Sequence, residues 1–343
     1  MKKPIVGITC GDLNGIGLEL IIDIFSESPM LNYCVPVIFC SSKVINYYKK
    51  MLGVNTFNYT NIKNIAQLNP KQVNIFNCWE EEVSLKPGEL TVDGGKYAIR
   101  SLEVATRCLQ DGEVDVLVTA PIHKANTQTE NFKFVGHTPY LKAYFQSKEI
   151  LMILYEDNFR VTLMSEHVPI KDVADQLSIE AVVNKLKLIT STLIRDFNIQ
   201  HPKIAVLGLN PHAGDDGIIG QEEKEIINVA IDQFNQQNIG RAFGAYSADA
   251  FFARRNDRHF DMVLAMYHDQ GLIPFKSLST GYGTNYTAGL PFIRTSPDHG
   301  VAFDIVGKGE AEPQSFRRAI FEAIDLFKNR LAYDQRALEA RKK

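Results

Sequence analysis

Short apolar runs alternate with amphipathic stretches along almost the whole chain. Pro4–Thr9 reads as a strand, followed by a glycine-rich turn and a helix from about Leu18 to Phe25. Val35–Cys40 is a second apolar run. Tyr97–Leu109 has apolar residues at 98, 102, 105 and 109, which is helical spacing. Val114–Ala120 is a continuous apolar strand of the kind buried on both faces. Ile150–Tyr155 and Phe159–Met164 flank Glu156-Asp157-Asn158 and predict a hairpin. Further strands are predicted at Ile204–Leu209, Met262–Tyr267 and Pro291–Arg294, and helices at about 180–197, 221–237 and 313–331. This alternation predicts an α/β protein with a largely parallel sheet, mixed where the hairpin enters. There is no repeat, no low-complexity tract and no Pro/Gly/Ser-rich linker, so a second domain would be an insertion that the chain enters and leaves.

A length of 343 residues suits one large or two medium domains. The formal net charge of -3 gives no footing for nucleic acid or an anionic membrane. The basic cluster Arg341, Lys342 and Lys343 reads as a solvated tail. Cys10, Cys34, Cys40, Cys78 and Cys108 are odd in number and show no C-x-x-C spacing, which predicts reduced thiols. The opening MKKPIVGITCGD is too soon interrupted to be a signal peptide. No stretch reaches the ~18–20 apolar residues of a membrane span. A soluble, cytoplasmic protein is expected.

The most informative pattern is positional. Phe159–Met164 runs into Ser165-Glu166-His167, Ile204–Leu209 into Asn210-Pro211-His212, and Met262–Tyr267 into His268-Asp269. Each histidine follows the C-terminal end of a predicted strand, the edge where open α/β sheets bind ligands. Neutral imidazoles converging there suit Zn, Co, Ni or Fe. A single histidine is more often a hydrogen-bonded structural residue. The residues alone therefore leave metal ligation and a structural role equally open. Asp269 and Asp249 are carboxylates that could ligate a metal or orient an imidazole, and Asp249 could equally be a helix N-cap. His201 and His259 read as surface residues.

Gly11-Asp12-Leu13-Asn14-Gly15-Ile16-Gly17 could present backbone N–H groups to a phosphate, but it matches neither G-x-G-x-x-G nor a Walker A loop and is as readily a tight turn. Gly136-His137-Thr138, Lys276, Asn285 and Arg294 are candidates for holding a buried anion. Taken singly, each is more readily a salt-bridge or solvated residue, and it is their placement among the other site candidates that favours the anion.

Several segments carry a resemblance over nearly the whole chain. They are Thr119-Ala120-Pro121-Ile122-His123-Lys124, Phe134-Val135-Gly136-His137-Thr138, Leu209-Asn210-Pro211-His212-Ala213-Gly214, Ala265-Met266-Tyr267-His268-Asp269-Gln270-Gly271-Leu272 and Gly289-Leu290-Pro291-Phe292-Ile293-Arg294-Thr295-Ser296. Together with Asp298-His299-Gly300 they resemble the 4-hydroxythreonine-4-phosphate dehydrogenase family of vitamin B6 synthesis. The resemblance implies an isocitrate/isopropylmalate-dehydrogenase-like fold with two α/β/α subdomains around a central cleft. The corresponding division is 1–130 plus 300–343, with 131–299 as an inserted, dimer-forming subdomain. It also implies a homodimer whose active site is shared between subunits.

By matching motifs, His167, His212 and His268 correspond to the family's metal ligands. His137, Thr138, Lys276, Asn285 and Arg294 correspond to its substrate-binding residues. The candidate catalytic residues are Asp249, Asp269 and Lys276. The implied cofactors are NAD (or NADP) and a divalent ion such as Zn, Co or Mg. The implied reaction is oxidation of 4-phosphooxy-L-threonine to a β-keto acid that decarboxylates to 3-amino-2-oxopropyl phosphate, in pyridoxal 5'-phosphate biosynthesis. Alternatives are a 4-phospho-D-threonate or 4-phospho-D-erythronate dehydrogenase, a metal-dependent phosphatase or hydrolase, and a non-catalytic phosphate-ligand binder. Cys10, Leu13, Asn14, Pro139 and Glu166 depart from the family pattern, and these departures bear on substrate choice.

Overall fold

The computed structural model describes residues 3–26, 29–129 and 132–342. The strands are β1 (Ile5–Thr9), β2 (Val35–Cys40), β3 (Tyr59–Ile62), β4 (Val73–Asn77), β5 (Val116–Thr119), β6 (Leu151–Glu156), β7 (Phe159–Leu163), β8 (Lys203–Leu207), β9 (Arg241–Tyr246), β10 (Met262–Ala265), β11 (Thr284–Ala288) and β12 (Ile293–Pro297). The helices are α1 (Gly17–Ser26), α2 (Ser42–Met51), α3 (Val92–Gln110), α4 (His137–Tyr144), α5 (Ile179–Arg195), α6 (Asn228–Asn235), α7 (Ala248–Ala253), α8 (His268–Leu278) and α9 (Gln314–Lys342). The α/β class stands. The chain divides into two compact units, Met1–Glu149 with Leu290–Phe327 and Ile150–Gly289 with Lys328–Lys343.

In the first unit the strands run in the order β3-β4-β2-β1-β5-β12, and every neighbouring pair is parallel. Val6, Ile8, Val37, Ile38, Val116 and Val118 are fully or almost fully buried, as a sheet covered on both faces requires. Helix α3 packs against β1, β2 and β5. Its start is set by Thr91, whose hydroxyl accepts the Gly94 N–H at 3.1 Å.

The second unit has the order β11-β6-β7-β10-β8-β9. The predicted hairpin is present: β6 pairs antiparallel with β7 and with β11, while β7, β10, β8 and β9 are mutually parallel. Leu154, Val161, Leu163, Ala205, Val263 and Phe275 form one buried cluster beneath these strands. A buried polar knot sits elsewhere in the unit. Arg330 of α9 donates to both carboxylate oxygens of Asp196, at 2.7 and 3.0 Å, and the Tyr286 hydroxyl donates to the same carboxylate at 2.7 Å.

Three expectations are corrected. The last helix runs far past 331, because Arg330, Asp334 and Arg336 anchor it on Asp196, Arg195 and Asn198. The strand predicted at Pro291–Arg294 is shifted to Ile293–Pro297. Its polar residues are buried with internal partners, as when Thr295 donates to the Ala319 carbonyl at 2.7 Å, so an apolar pattern ends too early. The chain division also differs. Residues 132–149 and 290–299 group with the first unit and 328–343 with the second, while the 130/131 boundary lies outside the described residues. Lys343 of the basic tail lies outside them as well. Among the described residues no helix is long and apolar enough to cross a membrane. All five cysteines are free and buried.

Candidate functional site

Strand order in the second unit gives the three histidines a common origin. β7, β10 and β8 are adjacent and parallel, so their C-terminal ends share one edge. His167, His268 and His212 each follow one of these ends within a few residues, and Asp249 follows the end of the next parallel strand, β9. The edge is braced from below. The Met164 N–H donates to the Ala265 carbonyl at 2.7 Å and the Gly208 N–H to the Tyr246 carbonyl at 2.8 Å. Gln270 adds a cross-tie: its amide donates to the Gly208 carbonyl at 2.6 Å and accepts the Met266 N–H at 2.7 Å.

The His167 and His268 rings lie 6.4 Å apart between centroids. His268 Nδ1 is 2.7 Å from a carboxylate oxygen of its neighbour Asp269. His212, Ser247, Asp249, Tyr267 and Gln270 line a cavity of about 230 Å3. Ser247 donates to Asp249 at 2.5 Å. That bond, followed by the Ala250 N–H and, further down, the charge of His212, holds the Asp249 carboxyl below the usual carboxylate range. The donor chemistry suits a divalent ion of borderline softness: three imidazoles and a carboxylate leave one sheet edge, with His167, His212 and Asp249 exposed and His268 partly so. Among the described residues, no three His, Cys, Asp or Glu side chains lie close enough to hold one ion jointly.

His212 is presented in an unusual way. His212, Ala213, Gly214, Asp215 and Asp216 all have left-handed backbone, with φ of 55, 51, 79, 44 and 55°. Such a conformation costs an L-residue about 1–2 kcal/mol, so a run of it needs support from its surroundings.

The first unit holds a separate polar group. Arg294, on β12, is only 3% exposed. Its Nε and one terminal nitrogen donate to the Thr119 hydroxyl, at 3.1 and 2.5 Å. Burial pulls the guanidinium pKa down to about 9. His137 is the first residue of α4, and Gly136 precedes it with a φ of 116°. Its Nε2 is enclosed and has no hydrogen-bond partner among the described residues. Burial and then the charge of Arg294 push its pKa well below the usual histidine range. This group combines a desolvated cation with an unsatisfied imidazole nitrogen, which suits an anion. Thr138 follows in the same first turn of α4.

Lys276 and Asn285 belong to the second unit. Lys276 is exposed near the end of α8, about 12 Å along the helix from His268. Asn285, on β11, has an enclosed Oδ1 without a partner among the described residues.

The glycine-rich turn is not an anion cradle. Residues 11–17 are all buried. The N–H groups of Asp12, Leu13, Gly15 and Ile16 donate to the carbonyls of Pro121, Gly94, Asp12 and Val301, and that of Asn14 donates to the Asp12 carboxylate. His201 and His259 are exposed, as expected.

Sequence reasoning missed Thr119, Gln270 and Ser247 as partners of the site residues. Thr119 ends a buried strand on the same kind of edge that drew attention to the histidines, so position could have found it.

Comparison with known proteins places these features in context. Residues 32–323 match the family described as pyridoxal phosphate biosynthetic protein PdxA. A Bacteroides thetaiotaomicron protein named 4-hydroxythreonine-4-phosphate dehydrogenase is 44% identical over 330 residues, covering 96% of this chain and 90% of that protein. A Pectobacterium atrosepticum protein named D-threonate 4-phosphate dehydrogenase is 34% identical over 330 residues, covering 94% of this chain and 99% of that protein. The crystal structure of 4-hydroxythreonine-4-phosphate dehydrogenase from Klebsiella pneumoniae superposes with a TM-score of 0.81 at 31% identity, covering 95% of this chain and 98% of that one.

Proposed function

The chain belongs to the PdxA family of pyridoxal phosphate biosynthetic proteins, and on that premise we propose that it is an NAD-dependent, metal-assisted oxidoreductase. Its substrate is 4-phosphooxy-L-threonine. The secondary alcohol is oxidised to a ketone β to the carboxylate, and loss of carbon dioxide leaves 3-amino-2-oxopropyl phosphate. The observation that carries the phosphorylated substrate is the buried Arg294 on Thr119 beside the unsatisfied His137 nitrogen.

In this reading Arg294, His137 and Thr138 hold the phosphate. A guanidinium already stripped of water gives a stronger charge-assisted bond than an exposed one. Asn285 offers its enclosed amide oxygen to a substrate donor, the amino or hydroxyl group. His167, His212 and His268 would hold the divalent ion, which when bound acidifies an alcohol and polarises a carbonyl. A nicotinamide cofactor would supply the hydride acceptor. Asp249 is held ionised by Ser247. A carboxylate with a lowered pKa suits cation ligation better than proton abstraction, since a base works best with a pKa near the working pH. Asp269 orients His268, and Lys276 is kept as a candidate catalytic residue. The protein works as a cytoplasmic homodimer whose two copies share each active site, and its buried free thiols suit a reducing compartment.

A second reading, oxidation of 4-phospho-D-threonate or 4-phospho-D-erythronate, is favoured by the similarity to the Pectobacterium protein. One experiment separates the two. The purified protein is offered each phosphorylated acid with NAD or NADP and with Zn, Co or Mg, and the products are identified by mass spectrometry. The proposal requires NADH and the aminoketone phosphate from 4-phosphooxy-L-threonine, at a higher kcat/KM than for the threonate or erythronate. Preference for either sugar acid supports the second reading. Phosphate release without NAD would overturn both.

A further inference from the structure

The left-handed turn that carries His212 is built around one buried carboxylate. Glu223 is 3% exposed and begins a π-helical turn, Glu223–Ile227, at the head of the segment leading into α6. Such turns are rare and often occur at functional sites. One oxygen of Glu223 accepts the Asn210 N–H at 2.7 Å, and the other accepts the Asn210 side-chain amide at 3.0 Å. The same amide also donates to Glu222 at 2.7 Å. Asn210 is the last residue before Pro211 and the left-handed run. Two glycines make room for the carboxylate. A Cβ on Gly214 would lie 2.6 Å from one Glu223 oxygen, and a Cβ on Gly208 would lie 3.0 Å from the other. The carboxylate thus sits inside the bend, against both limbs of the chain that carry His212.

We infer that Glu223, acting through Asn210, is a positioning residue for His212. The left-handed backbone is unfavourable for His212, Ala213, Asp215 and Asp216, and it persists because Glu223 fixes where the chain enters the turn. Released from that anchor, the segment relaxes toward right-handed or extended backbone, and the imidazole leaves the sheet edge that it shares with His167 and His268. This inference rests on the proposal that His212 is a metal ligand.

The test uses the full-length protein, with Glu223→Gln, Glu223→Ala and His212→Ala compared to the parent. Hydrogen exchange of residues 208–219, measured without metal, reports on the turn. Co(II) titration followed by its visible absorption reports on the ligand set. Steady-state kinetics at rising Co(II) report on use of the site. Glu223→Gln keeps an acceptor for the Asn210 N–H but places a donor opposite its amide, so its effect is the milder one. Loss of an outer partner typically weakens metal binding about 10–100-fold. The inference expects a loss in that range for Glu223→Ala, a smaller one for Glu223→Gln, faster exchange in both, and recovery of kcat at saturating Co(II). His212→Ala is not recovered. If both Glu223 variants keep the parent Kd for Co(II) while His212→Ala loses it, Glu223 serves only the fold and the inference is overturned. If His212→Ala itself binds Co(II) like the parent, the ligand reading has failed and the inference falls with it, by a distinct signature. Should Glu223→Ala not fold, Glu223→Gln decides.

Discussion

Replacing Arg294 with methionine tests whether its buried charge serves a ligand or the fold. The side chain is 3% exposed, and burial pulls its pKa down from the ordinary guanidinium range to about 9. That displacement corresponds to about 5 kcal/mol against the buried cation, an upper bound for its cost to folding. Methionine has similar length and no charge. It removes that cost, and it gives up the guanidinium's hydrogen bonds, those to Thr119 among them, at about 1 kcal/mol for each typical bond. The ligand-free Arg294→Met protein is therefore expected to be as stable as the parent or more so, by up to a few kcal/mol. At about 2–4 °C per kcal/mol for a unit of this size, calorimetry will detect the change.

The sign with pH follows from the direction of the shift. A cation whose folded pKa lies below its unfolded value costs stability fully below about pH 9. The cost fades as pH rises above about 9, so the stabilities of the two proteins should draw together on the alkaline side. Function should move the other way. Losing one charged hydrogen bond to phosphate, about 1.5–3 kcal/mol, should raise KM for the phosphorylated substrate roughly 10- to 150-fold with a much smaller change in kcat. Inorganic phosphate should raise the Tm of the parent but not of the variant. A variant that is less stable by more than about 2 kcal/mol and keeps its KM would show that Arg294 is a core residue, and the phosphate assignment would be wrong.

Other outcomes are equally concrete. His212→Ala should lose bound metal, by elemental analysis, together with NADH formation; full activity in metal-stripped parent protein would remove the basis for this expectation. Asp196→Ala leaves Arg330 buried without its carboxylate, and should cost about 3–5 kcal/mol in thermal or denaturant unfolding; a change below 1 kcal/mol would show that the knot is dispensable. His137 is held neutral in the free protein, and an arriving phosphate raises its pKa, so binding near neutral pH should take up protons. Calorimetry in buffers of different ionisation heat measures that uptake, and zero uptake would place the phosphate away from His137.

Much of the architecture was legible in the residue pattern. Runs such as Val114–Ala120 are long, apolar and bounded by polar turns, so local burial alone specifies β5. The strand-end placement of His167, His212 and His268 was equally visible, because a strand's end and the residue after it are neighbours in sequence. Thr295-Ser296-Pro297 in β12 and the far half of α9 were not visible, since their polar residues are satisfied by partners distant in sequence.

The sequence by itself therefore showed which residues carry the chemistry for ligation and anion binding, and that three of its histidines follow the ends of apolar strands. It could not say that β7, β10 and β8 are neighbours, because strand order depends on which apolar faces pack together across more than a hundred residues. Only the tertiary structure brought the three histidine-bearing ends to one edge. It also turned the N–H groups of Asp12 through Ile16, in the glycine-rich turn, to internal acceptors. And it placed Glu223 inside the bend that carries His212, a contact invisible in sequence because backbone handedness leaves no mark on residue pattern when the support comes from another segment.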